Sequence, residues 1–385
     1  MLTEAQQQFG LILESLSDAL DVPPSRYEEA EEHYKAVTDW LGAEGSALAP
    51  YDPDLYPQGS FRLGTAIKPV TEHDEYDVDL VCQLALGRDE VEPKDLKRMV
   101  GERLRASEVY KRMLREGKRC WTLDYADGAK FHLDILPAIP DLDGAPESIL
   151  ITDAALRDWQ HSNPRGYGEW FKARMEVVFL EKRAALAESL RASVEEIPDY
   201  KVRTPLQRAV QILRRHRDIA FEKDPDGKPA SIIITTLAAW AYGNEADLYE
   251  ALTDIAARMA GHLEDREGVA WLPNPVNPKE NFCDRWRDHP ERHLKFLRWV
   301  RQVGRDLEAT LAAREEGLPE VAKGLERLFG ARPVNEAFER FGDQLHETRK
   351  AGSLRMASRT GTLGVTGATT VLAHSFFGGD EEEAP

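Results

Sequence analysis

Residues 57–84 read PQGSFRLGTAIKPVTEHDEYDVDLVCQL, a Gly-Ser turn followed by an apolar strand that two aspartates interrupt. Side chains of a strand alternate faces, so Asp77 and Asp79 point the same way, about 6.5–7 Å apart. Val78, Leu80 and Val81 supply the character of a core strand. Two carboxylates on one face of a buried strand are costly unless something cationic satisfies them. A divalent ion with oxygen ligands is the simplest remedy, and Mg²⁺ usually brings substrate phosphates into its shell. The bland alternative, an edge strand with solvent-facing aspartates, fits poorly with the apolar residues flanking them.

A second strand carries a third carboxylate. Cys120, Thr122 and Asp124 alternate with Trp121, Leu123 and Tyr125, Asp127-Gly128 supplies a turn, and FHLDILP returns from Phe131. Asp134 interrupts that returning strand as Asp77 and Asp79 interrupt theirs. Converging on one face of a small sheet, the three aspartates suit two metal ions about 3.5–4 Å apart serving an in-line displacement at phosphorus. Upstream, Gly59 lets the backbone approach a phosphate, and Ser60 adds amide and hydroxyl donors. Asp74 and Glu75 read as a solvated turn and His73 as a turn residue without an evident partner. His132 is read as pointing away from Asp134, a satisfied core or surface histidine.

The bulk numbers bound the rest. At 385 residues the chain is long enough for two domains. Its net charge of −18 argues against broad binding to nucleic acid or anionic membrane, while leaving room for a local basic groove. Cys82, Cys120 and Cys283 are scattered without C-x-x-C spacing, which suits buried structural thiols in a reducing compartment. The first residues lack a signal-peptide pattern. No apolar run approaches the roughly 18–20 residues of a membrane span. A cytoplasmic location is expected.

Thr3 with Gln6 predicts a capping box opening a helix whose apolar side is Phe9, Ile12, Leu13, Leu16 and Leu20. Ser25 with Glu28 predicts a second helix, ending at Gly42. Residues 87–114 read as one helix, and 168–193 as another. Thr204 and Pro205 predict the start of a helix over TPLQRAVQILRRHRDIAF. SIIITTLAAWAYG reads as a buried helix from Ser231, followed by amphipathic helices. NPVNPKENF is expected to be a loop packing near the site, where Asn274 or Asn281 either touches a base or serves the turn. Residues 349–385 lose periodicity and end in an acidic, mobile segment.

G-S-x-R-x-G-T, Y-D-V-D-L-V and F-H-L-D-I-L-P, in this order, resemble the polymerase-β-like nucleotidyltransferase superfamily. More narrowly, the chain is similar to the CD-NTases, bacterial relatives of cyclic GMP–AMP synthase found in CBASS anti-phage systems. SNPRGYGEWF at 162–171, LQRAVQILRRHRD at 206–218, SIIITTLAA at 231–239 and NPVNPKENFCDRW at 274–286 extend the match. The resemblance implies an α+β fold: a nucleotidyltransferase core at 1–200, a helical lobe closing the nucleotide cleft at 201–348, and a tail at 349–385. It implies cyclic di- or trinucleotides made from NTPs (ATP, GTP, UTP or CTP), with Mg²⁺, or Mn²⁺ in its place, on Asp77, Asp79 and Asp134. Gly59 and Ser60 would hold the triphosphate. Arg214 stands where the family commonly has Lys meeting donor phosphates; its bidentate fork keeps the charge and changes the geometry. Ser231 matches a phosphate-contacting serine at a helix N-terminus.

For Arg214 the bland reading is an exposed helix arginine, and for Ser231 a plain N-cap. By the same resemblance, the partners include ubiquitin-transfer-like or HORMA-type accessory proteins and an effector activated by the cyclic nucleotide. The C-terminus would be open to conjugation, though an acidic tail usually serves only solubility. Two other functions compete: transfer of nucleotides to RNA, a small molecule or a protein, and a non-catalytic nucleotide-binding module.

Overall fold

A computed structural model of the chain describes residues 2–71, 76–125, 131–152, 155–190, 193–194, 201–357, 363–364 and 367–371, except the Lys279 side chain. His73, Asp74, Glu75, the Asp127-Gly128 turn and the acidic end lie outside the described residues. The chain divides into two compact units. Met1–Ala19, Asp247–Tyr249 and Arg305–Pro385 form one, and Leu20–Ala246 with Glu250–Gly304 the other. Every candidate site residue belongs to the second.

The fold is α+β. Its main sheet is built from β1 (Asp54–Pro57), β2 (Tyr76–Gln83), β3 (Leu114–Glu116), β4 (Trp121–Asp124), β5 (Phe131–Pro140), β6 (Ile149–Thr152) and β7 (Trp159–Ser162). The strands run in the order β1-β2-β5-β4-β3, and β5 also pairs with β6 and β6 with β7. Only the pairing of β2 with β5 is parallel among these, and it is the longest, from Tyr76↔Phe131 to Gln83↔Ala138. Alternation assigns the faces. Val78, Leu80 and Cys82 join Phe131, Leu133 and Ile135 in one buried cluster, which puts Asp77, Asp79, His132 and Asp134 on the opposite face.

The helices are α1 (Glu4–Leu20), α2 (Pro24–Gly42), α3 (Gly59–Leu63), α4 (Pro93–Arg105), α5 (Glu108–Met113), α6 (Pro164–Ala173) and α7 (Glu176–Leu190). They continue with α8 (Pro205–Ala220), α9 (Ser231–Ala241), α10 (Leu248–Arg258), α11 (Pro290–Ala312), α12 (Leu318–Phe329) and α13 (Ala331–Lys350). Ala30, Val37 and Leu41 of α2 and Leu96, Val100 and Leu104 of α4 cover the apolar face of the sheet, each leucine contributing about 1.5–3 kcal/mol by burial. Gly101 lets Trp121 lie against α4, because a Cβ there would collide with the indole ring. Among the described residues no helix is long and apolar enough to cross a membrane.

Several boundaries differ from expectation, each for a local reason. Residues 87–114 hold two helices, because Ser107 leaves the helical path and its side chain accepts from the Tyr110 amide as the N-cap of α5. Helix α2 begins one residue before Ser25, with Pro23 as a cap that offers no side chain. The stretch 168–193 splits after Ala173. Arg174, at the break, donates to the carbonyls of Ala239 (2.8 Å) and Tyr242 (3.0 Å), closing the end of α9. NPVNPKENF is not a loop: Pro273–Asn274 and Asn277–Asn281 pair as a short antiparallel hairpin. The Thr3–Gln6 capping box forms as expected, with both reciprocal bonds.

Candidate active site

Asp79 and Asp134 are direct register partners on β2 and β5, one strand spacing of about 4.8 Å apart. Asp77 lies one pleat along the same face, opposite His132. His132 therefore shares the face of the aspartates, contrary to expectation, because residues two apart on a strand point the same way. It stays at the side of the site, its Nδ1 3.3 Å from Arg115 Nη2 and 3.5 Å from Asp124 Oδ1. Asp134 accepts a hydrogen bond from the Thr122 hydroxyl.

The carboxylates pay electrostatically for this crowding. Burial, then the charges of Asp134 and Asp77, push Asp79 up to about 6. Asp77 is open to solvent at the strand end yet walled by protein, and burial followed by the Asp134 charge raises it as well. The face is short of positive charge, and its donors are hard oxygens of the kind Mg²⁺ takes. Among the described residues no three acidic, histidine or cysteine side chains are gathered tightly enough to hold a metal by themselves. Carboxylates of this kind suit an ion that completes its shell with substrate phosphates and water.

Gly59 opens α3 at φ 60°, a left-handed conformation that favours glycine. A Cβ there would stand 2.7 Å from Asp79 Oδ2. The missing side chain therefore makes room for the carboxylate itself, and the Gln58 amide ties the turn to the Asp79 carbonyl at 2.8 Å. Ser60, Asp77, Arg214 and Ser231 line one cavity of about 990 Å³, at the upper end of the roughly 300–1,000 Å³ usual for ligand sites. Gly59 and Asp79 line a smaller one of about 280 Å³. Glu280 and Phe282 line both, whereas Asp134 lies on neither lining.

Helix α8 holds the loop that follows the Gly-Ser turn. Thr204 caps the helix and Pro205 opens it as expected, and Gln207 completes a capping box with Thr204. Gln207 then donates to the Leu63 carbonyl at 2.9 Å and Gln211 to Ala66 at 2.9 Å. Arg214 donates to Thr65 at 2.5 Å and Arg215 to Lys68 at 2.5 Å. Spacings of four, three and one put these donors on neighbouring rows of the helix, all reaching one irregular segment. Arg214 is not the exposed arginine of the bland alternative. Burial, then the Arg217 charge, lower it to about 10, and its Nε has no hydrogen-bond partner. A buried cation among the lining residues of a cavity suits an anion.

Ser231 is the first residue of α9 and Ala230 is the cap, so the plain N-cap alternative does not apply. The Ser231 hydroxyl accepts from Arg217 Nη1 at 2.8 Å. Arg26, Lys68, Arg119 and Lys228 also line the larger cavity, the local basic groove that the acidic composition left room for.

Asn281 is committed to backbone, and Asn274 to backbone and to Glu280. Asn281 accepts from the Leu272 and Cys283 amides and donates to the Ala270 carbonyl. Asn274 accepts from the Val276 amide at 3.0 Å and donates to Glu280 Oε2 at 2.8 Å. The sequence reading missed Glu280 and Phe282, whose only signal was a carboxylate and an aromatic two residues apart. It also missed His161, which lines the larger cavity and is held by the buried Asp141, Nδ1 to Oδ2 at 2.6 Å.

Residues 6–174 match the family described as the Second Messenger Oligonucleotide or Dinucleotide Synthetase domain. Over 384 residues the chain is 30% identical to a c-di-GMP synthase of Roseivirga ehrenbergii, covering 98% of this chain and 99% of the relative. It is 28% identical to the cyclic dinucleotide synthase CdnG of Bradyrhizobium diazoefficiens, covering 94% of this chain and 89% of the relative. A solved structure of that organism's CD-NTase CdnG in complex with GTP superposes with a TM-score of 0.69 at 26% identity, covering 86% of this chain and 99% of the other.

Proposed function

This chain belongs to the CD-NTase family of nucleotidyltransferases, enzymes that make cyclic oligonucleotides from NTPs, and from that premise we propose that it joins guanine nucleotides into a cyclic dinucleotide. The observation that carries the proposal is the register of Asp79 with Asp134, with Asp77 on the same face and the Gly59 turn against Asp79. The guanine preference is supported by one relative being a c-di-GMP synthase and another having been solved with GTP.

In this reading Asp77, Asp79 and Asp134 hold Mg²⁺, with Mn²⁺ as a substitute. When bound, the metal supplies charge for the triphosphate and lowers the pKa of the attacking hydroxyl. Gly59 and Ser60 present backbone and hydroxyl donors to the triphosphate. Arg214 offers its positive charge to the same anion, and Ser231 sits where the N-terminus of α9 favours negative charge. The larger cavity holds both nucleotides, so that the second bond forms without release of the linear intermediate. The product serves as a second messenger in an anti-phage system of the CBASS kind, acting on a cyclic-nucleotide-activated effector.

The test is incubation of the purified protein with labelled GTP, alone and mixed with the other three NTPs, with Mg²⁺, Mn²⁺ or a chelator. The expected result is a phosphatase-resistant, guanine-containing product whose mass is that of a cyclic dinucleotide, absent with chelator. Transfer of label to added RNA or protein instead would overturn the proposal in favour of another acceptor.

A further inference from the structure

Glu280 is a feature of both cavities that neither the metal site nor the phosphate-binding residues absorb. It stands in the hairpin strand Asn277–Asn281 and lines both cavities together with Phe282. Its orientation is imposed. The Val276 amide can only donate, so Asn274 must turn Oδ1 toward it and Nδ2 toward Glu280. Asn274 is itself 3% exposed, so it braces the carboxylate through Oε2 while Glu280 lines both cavities. Burial raises the Glu280 carboxyl even against the Asn274 bond and the nearby His161. Phe282 follows two residues on, its amide bonded to the Leu272 carbonyl at 2.9 Å and its ring edge-to-face with Tyr167 at 6.0 Å. The hairpin thus offers the cavity an acceptor-only group and an aromatic face, both held rigidly.

We propose that Glu280 selects guanine, accepting hydrogen bonds from its N1–H and N2–H₂ while Phe282 packs against the face of the base. The inference rests on the nucleotidyltransferase function above and deepens it. A carboxylate supplies acceptors and no donor, so it discriminates by what the ligand donates. Guanine presents two adjacent donors on one edge. Adenine, uracil and cytosine each present a single donor group on that edge, and hypoxanthine keeps N1–H but lacks the 2-amino group. A ribose diol would also satisfy a carboxylate, but it would make no use of the aromatic face.

The test is a binding titration of the metal-supplemented full-length protein with GTP, ITP, ATP and 2′,3′-dideoxy-GTP, read by calorimetry so that turnover is not required. GTP should bind on the order of tenfold to a hundredfold more tightly than ITP, the usual value of a hydrogen bond to a charged group. Dideoxy-GTP should keep most of that advantage. In the Glu280→Gln variant, Asn274 will draw the amide oxygen and leave the NH₂ facing the cavity, so the preference for GTP over ITP should fall to about onefold while ATP binding hardly changes. Equal binding of GTP and ITP by the unaltered protein would overturn the assignment without touching the nucleotidyltransferase reading, as would loss of the GTP advantage in dideoxy-GTP. Failure to bind any nucleotide would overturn both.

Discussion

The sheet and helix α8 contribute to the same site by opposite means. On the sheet, three carboxylates are brought together with too little positive charge, and Asp79 is forced up to about 6. On α8, side-chain donors meet the carbonyls of residues 63–69 one after another. One part stores unfavourable free energy that a ligand relieves, and the other spends stability on holding a loop still. Binding energy and rigidity are thus supplied by different elements, and each should respond differently to substitution.

The largest separation is expected at Asp79→Asn. Removing the proposed metal ligand should lower activity by about a thousandfold or more, several kcal/mol of barrier. The same change should raise the melting temperature of the metal-free protein, because it removes a buried charge that Arg214 offsets less than burial and the neighbouring aspartates oppose it. Thermal denaturation in chelator, beside initial rates in Mg²⁺, would show both. A fall in both quantities would make Asp79 a structural residue and erase the contrast.

A pH series sharpens it further. Asp79 binds its proton more tightly folded, at about 6, than at its ordinary 3.8. Between those values the native state carries the extra proton, so this group's contribution to stability falls as pH rises through the window and is most favourable below it. The difference amounts to at most about 3 kcal/mol, at 1.36 kcal/mol per unit. It should appear as a stability gap between unaltered protein and Asp79→Asn that opens from pH 4 to 7 in chelator and narrows when Mg²⁺ is added. A gap independent of pH would place the strain elsewhere.

At the other extreme, Gln211→Met should cost about 1–3 kcal/mol, since it leaves the buried Ala66 carbonyl and Asp21 without the Gln211 donor. Its kinetic effect should fall mainly on KM for the nucleotide, through a loosened loop, with kcat little changed. A change confined to kcat would mean that the loop serves the chemical step rather than binding.

The sheet side of this comparison was legible in sequence and the helix side was not. Asp77, Asp79 and Asp134 are visible because each breaks an apolar run, and period-two alternation places them on a shared face. The same rule assigns His132 to that face, so its misplacement reflected a rule left unapplied. The start of α8 was legible because Thr204 and Pro205 are a local signal. What Arg214 touches was not, since its partner Thr65 lies 149 residues away and burial set by such contacts has no local trace. The hairpin at 273–281 escaped for a different reason. Its strands are short, polar and rich in proline, and no periodicity survives in them.

The bonds from α8 to the Gly-Ser loop have one more consequence, for the order in which the protein comes to exist. The donors from Gln207 to Arg215 lie 144 to 149 residues beyond the carbonyls they reach. Contacts of such separation form late, because the loop-closure entropy must be overcome before they repay it. The strands carrying the aspartates leave the ribosome well before α8, so a nascent chain acquires its carboxylates first and a braced Gly-Ser loop only afterwards. A chain that ends before α8 lacks every one of these donors, and its Gly-Ser loop is left without that brace.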